Sequence, residues 1–229
     1  MKKLFADYLR LYSEFPKGQY LTKLQKKQRK EALNMYGVHV YNEEIYIDDL
    51  VDFIIKYGDS VDMSLSFMRQ IAPVLKHDIA SGGTVALKYL LIASAPYKAL
   101  YYNFTDFCWE TFGDEHDLLE LLIERESDYL PAFEVKFWHM EHAINFTLHE
   151  LPYCVLLDKD AIPSALKRLD EFKEVSLKLG KDTDFLNTFV KEARHYYIMW
   201  QDFLENRHLY DTFSQYLSSH GEDFGLMIL

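Results

Sequence analysis

Glycine and proline are scarce in this chain, nine and six among 229 residues, so there are few places where a helix must stop or a tight turn must form. Two cysteines, Cys108 and Cys154, cannot build a disulfide framework, and their scarcity points to a reducing, cytoplasmic setting. No stretch reaches the roughly 18 uninterrupted apolar residues of a membrane span. The nearest, Val85 to Tyr102, carries Lys88 and Lys98 and is broken by Pro96, and it reads as a buried core helix. The opening MKKLFADYLRLYSEF has Asp7, Arg10 and Glu14 where a signal peptide would need an apolar core.

Motif chemistry is missing as well. There is no Gly-x-Ser-x-Gly, no phosphate loop, no Gly-x-Gly-x-x-Gly and no Cys-x-x-Cys. Cys108 stands among acidic and aromatic neighbours. A catalytic thiol needs an electropositive setting and a base, so the composition favours a structural cysteine. Ser81-Gly82-Gly83-Thr84 at a helix start has the backbone character of an anion site, but a loop and N-cap is the much stronger reading. These absences argue against a recognisable enzyme and predict no cofactor.

What is present is aromatic, helical and unevenly charged. Seventeen Tyr, sixteen Phe and three Trp supply a thick core, an exposed binding face, or both. Residues 1–33 hold nine cations against three anions, a balance of +6; the remainder holds 16 basic and 33 acidic residues, a balance of −17. Such a split bears on partners, because the acidic body attracts basic surfaces and repels acidic ones.

Apolar residues recur at helical spacing almost throughout. Leu4, Phe5, Tyr8, Leu11 and Tyr12 mark a first helix ended by Phe15-Pro16-Lys17-Gly18. A second, thinly apolar and basic helix is expected from about Gln19 to Met35, with Gly37 as its C-cap. Residues 38–47 alternate enough to be compatible with one small β-hairpin. Helices follow over 48–57 and 62–79, the latter kinked or divided by Pro73. A long central helix is expected over 84–102, and further helices over 105–111, 115–126, 128–151, 162–179, 183–206 and 209–217. Asp114 starts one of these and Asp182 or Thr183 another; Gly180 closes a third. Residues 221–229 read as a frayed or docked tail. The class is all-α: a single domain over 1–229, of eight to ten helices, arranged as a bundle or as stacked helical hairpins, with 1–47 as a basic sub-domain.

Three functional readings follow. The leading one is a non-catalytic protein-binding module. Glu43, Glu44, Asp48, Asp49 and Asp52 form one acidic group. Asp114, Glu115, Asp117, Glu120, Glu124, Glu126 and Asp128 form another, bordered by Trp109, Phe112 and Tyr129. Aromatic anchors beside carboxylates suit a basic protein partner. The expected contact residues are Trp109, Phe112, Asp114, Glu115, Asp117, Glu120, Glu124 and Tyr129, in a protein of inhibitor or immunity type. The alternative is a metal-dependent helical-bundle enzyme, di-iron or mononuclear, drawing on Glu134, His139, His142, His149, Glu192, His195 and Asp202. A di-iron bundle uses two Glu-x-x-His pairs, and this chain offers one, Glu192 with His195. The third reading, a nucleic-acid binder through the basic helix 19–35, is opposed by the −17 body.

Overall fold

The computed structural model describes residues 1–15, 20–61, 63–94, 98–181 and 183–222. Among them every regular element is helical, and twelve α-helices and no strand are present. The expected Pro16–Gly18 stop, the Gln19 and Asp62 helix starts, the Asp182 cap and most of the 221–229 tail lie outside the described residues. The chain packs as two compact units, Met1–Ala132 and Phe133–Leu229.

The first unit contains α1 (Lys3–Glu14), α2 (Lys23–Val38), α3 (Ile47–Tyr57), α4 (Leu65–Ala80), α5 (Val85–Leu91), α6 (Leu100–Asn103), α7 (Thr105–Phe112) and α8 (Glu115–Arg125). Its core starts as an aromatic cluster. Phe5 of α1 stacks on Phe53 of α3 at 4.6 Å between ring centres, and Tyr8 meets Phe67 of α4 at 4.3 Å. These rings are buried, and aromatic contacts of this kind add to the area they remove from water.

Residues 39–46 are a loop, not the expected hairpin. Its polar groups are used by α1 instead of by a strand partner. Glu43 accepts from the free amides of Lys3 and Leu4 at 2.8 and 2.6 Å, capping that helix from 40 residues away. Gly37 lies inside α2 and is not its C-cap. It is required there for space: a Cβ would stand 2.7 Å from the Ser66 hydroxyl of α4. Pro73 does not divide α4, which runs unbroken to Ala80. The long helix expected over 84–102 is shorter, ending at Leu91, with the separate α6 beginning at Leu100.

A polar clamp fixes the α4–α5 turn. The buried Asp78 carboxylate accepts from the Ala86 amide at 2.8 Å. A Cβ on Gly83 would come within 2.0 Å of that carboxylate, so only glycine fits. Arg125 donates to the Gly83 carbonyl at 2.6 Å, and Lys88 meets Glu126 at 2.6 Å.

The second unit contains most of α9 (Leu130–Leu148), with α10 (Ile162–Lys178), α11 (Asp184–Glu205) and α12 (Phe213–Ser219). Phe137 stacks on Phe172 at 4.8 Å, and Phe172 meets Phe189 edge-on. Trp200, Phe203, Phe213 and Tyr216 join α11 to α12. The Tyr216 hydroxyl donates to Asp202 at 2.7 Å. Thr183 caps α11 by accepting from the Leu186 amide.

Candidate functional site

The acidic-aromatic segment falls on α7, α8 and the turn between them. Asp114 caps α8, accepting from the His116 amide at 2.8 Å, so its charge serves the helix start as well as the surface. Tyr101 of α6 donates its hydroxyl to the Gly113 carbonyl, holding the turn against α6. Burial, reinforced by the Asp114 charge, pushes that phenol up to about 12.

Glu115 is half-buried, and burial together with Asp114 raises its carboxyl above the ordinary range. Cys108 is fully buried; burial and then the Glu115 charge push its thiol up to about 11. A thiol so placed is protonated and shielded near neutral pH, so it is not an activated nucleophile.

Exposed along this segment are Trp109, at 61%, and the carboxylates of Asp106, Glu110, Asp114, Asp117 and Glu124. Phe112 and Glu120 are half-buried beside them. Phe112 meets Phe107 edge-on at 6.3 Å, and His116 approaches Glu120 at 4.0 Å. The far end of the expected surface has a different role. The Tyr129 ring lies under the Lys88 ammonium at 4.5 Å, and Glu126 is held by Lys88 and Thr84. Burial pushes the Glu126 carboxyl up, but the hydrogen bonds from Lys88 and Thr84 outweigh it and hold the group below its ordinary value of 4.5. The eight expected contact residues thus separate into an exposed group, Trp109, Asp114, Asp117 and Glu124, a half-buried group, Phe112, Glu115 and Glu120, and Tyr129, which belongs to the clamp.

In the first acidic group Glu44, Asp48 and Asp52 are exposed, while Glu43 and Asp49 are spent on structural bonds. Glu43 caps α1, while Asp49 accepts from the Tyr46 amide at 3.0 Å and pairs with Lys2 at 3.5 Å. Sequence proximity alone had made these two groups look equivalent.

The seven residues of the metal alternative do not converge. Among the described residues no three His, Cys, Asp or Glu are grouped as metal ligands. His142 Nδ1 bonds the Trp138 carbonyl one turn back, at 3.1 Å, and its ring lies on Trp138. His149 bonds the Phe146 carbonyl and approaches Glu150. His195 meets Glu222 at 2.8 Å, and Asp202 accepts from Tyr216. His139 lies against Trp138, while Glu134 is exposed and Glu192 half-buried. Helical spacing placed these groups on stripes, but His142 and His149 bond carbonyls one turn back, while His195 and Asp202 bond residues beyond α11.

The basic helix α2 was the other positive feature. A capping box closes its start, with Thr22 and Gln25 each bonding the other's backbone amide. Arg29 donates to the Tyr12 hydroxyl at 2.9 Å. Lys27 pairs with Glu31 of its own helix at 3.8 Å. Among the described residues Lys23 and Lys30 meet no carboxylate and are exposed.

Among the described residues no helix is long and apolar enough to cross a membrane. Compared with protein-family models, curated proteins and solved structures, the chain matches none.

Proposed function

We propose that the protein is a non-catalytic cytoplasmic binding protein whose α7–α8 face takes a basic protein partner, in the manner of an inhibitor or immunity protein. The observation that carries this reading is Trp109, a large ring left 61% exposed on a helix whose other outward residues include Asp106 and Glu110. An exposed tryptophan gains most when a partner covers it, and carboxylates around it select a cationic partner and speed its approach. The raised Cys108 thiol and the absence of catalytic motifs are consistent with binding as the activity. Both cysteines are free, which suits a reducing compartment.

The test begins with affinity capture from the native host, followed by kinetics on the purified partner. Charge reversal is directed to Glu110→Lys, Asp117→Lys and Glu124→Lys, because Asp114 caps α8 and Glu115 is half-buried. The triple variant is expected to associate about tenfold more slowly and to lose most of the salt dependence of association. Trp109→Ala is expected to raise the dissociation rate by about tenfold or more while leaving thermal unfolding almost unchanged. A partner that binds the triple variant as fast as the parent overturns the assignment of this face.

A further inference from the structure

We infer that α2 docks on the α7–α8 face of a second copy of this chain, so that the protein associates with itself head to tail. The inference rests on the reading of α7–α8 as a surface for basic partners, and it supplies one such partner from the chain itself.

The starting point is how little of α2 is used inside its own unit. Of its sixteen residues only Tyr36 is buried. Its inward side is spent on Arg29, Leu33 and Tyr36. The opposite side carries two adjacent stripes at helical spacing. Lys23, Lys27 and Lys30 form the first, and all are exposed. Leu24, Met35 and Val38 form the second, at 64, 70 and 72% exposure. Cations beside apolar anchors call for anions beside apolar anchors.

That complement is present on the same molecule. The α7–α8 segment offers the exposed carboxylates of Glu110, Asp117 and Glu124 together with the exposed Trp109. Within one copy α2 packs mainly on α1 and α4, and α8 mainly on α5, and both charged surfaces are exposed, which leaves them open to a second copy. A phosphate backbone would use the lysines but leave Leu24, Met35 and Val38 in water. A membrane surface would need a wider apolar side than a stripe interrupted by Glu31. The net charge of −11 opposes association at a distance. At physiological salt, however, that repulsion is screened beyond about 8 Å, while contacting pairs are affected less. The contact is heterologous, so it extends into a chain or closes as a ring.

Two variants of the full chain test this. One carries Lys23→Glu, Lys27→Glu and Lys30→Glu; the other carries Glu110→Lys, Asp117→Lys and Glu124→Lys. Each keeps one half of the contact and loses the other. Sedimentation at physiological salt is expected to show the parent growing with concentration above its 27.1 kDa monomer mass. Each variant alone is expected to stay at that mass, its self-affinity weakened at least about a hundredfold by like charges brought together. An equimolar mixture is expected to associate above the monomer mass, since one variant keeps α2, the other keeps the acidic face, and the two reversed surfaces are themselves opposite in charge. A parent that stays monomeric at every concentration overturns the inference. So does a mixture that stays monomeric, or association that survives the α2 reversal. Binding of a DNA duplex or anionic vesicles through the same lysines, without growth in mass, also overturns it. None of these results touches the proposed function, which fails only if the α7–α8 variant binds a captured basic partner at the parental rate.

Discussion

Helices α2 and α4 are each sixteen residues long and sit side by side in the first unit, yet they are built on different principles. Helix α4 buries Phe67, Met68, Ile71, Ala72, Leu75 and Asp78; α2 buries Tyr36 alone. Helix α4 also contains Pro73, which cannot donate to the Arg69 carbonyl and which costs an unsupported helix about 3 kcal/mol. It stays unbroken because its other face is packed. Helix α2 has less such reserve: beyond Tyr36 and the Arg29–Tyr12 bond it leans on its capping box, its side-chain propensities and the Lys27–Glu31 pair. Tertiary burial lets a helix disregard its local preferences, while a helix without burial must satisfy them.

Breaking the packed helix should have the largest effect. Phe67 is fully buried and touches Phe5, Tyr8 and Phe53. Phe67→Ala is expected to lower the unfolding free energy by about 3–5 kcal/mol, read from the urea midpoint at unchanged slope. A loss below about 1 kcal/mol would mean that this cluster does not hold the unit together.

The second test moves the proline. Gln28→Pro places in α2 the residue that α4 already tolerates. It should cost about 3 kcal/mol locally and open the helix from Thr22 to Lys30, while the global midpoint shifts by less than about 1 kcal/mol. Hydrogen exchange resolved by peptide separates the two. Protection that persists across residues 24–30 would show that α2 is supported by more than its own local bonds.

The third test sharpens the contrast at the end of α4, where polar bonds and not apolar area fix the turn. Lys88→Met leaves Glu126 without its ammonium partner and is expected to cost about 2 kcal/mol at about pH 7. The sign with pH follows from the lowered Glu126 carboxyl. Its contribution is present above the ordinary value of 4.5 and is lost as pH falls through the lower folded-state value. The variant should therefore lose stability less steeply than the parent over that acid range. Equal slopes in denaturant titrations across it would remove Glu126 from the account.

The acidic residues teach the same lesson as the two helices. Glu43 and Glu44 look as available in the sequence as Asp114 and Glu115. In the fold Glu43 closes the start of α1, and nothing within its own neighbourhood in the sequence announces a partner some 40 residues upstream. The histidine stripe of α9 shows the converse. Its spacing was legible, but His142 and His149, the latter just past the end of α9, spend ring nitrogens on carbonyls of that helix, so no convergence follows from periodicity.

By itself the sequence determined the helical class, most helix positions and the cap at Asp114, and it narrowed the cap of α11 to Asp182 or Thr183. Those features depend on residues three or four apart, whose interactions any helix brings together. It also located the exposed acidic and aromatic segment, because charge density is a local property. Only the tertiary structure decided that residues 39–46 form a loop and that the helix beginning at Val85 ends at Leu91. It likewise assigned Glu43, Asp78 and Glu126 to structural bonds and left Glu110, Asp117 and Glu124 in water. Whether a carboxylate is spent or available depends on partners distant in the chain, and such pairings leave no period in the sequence.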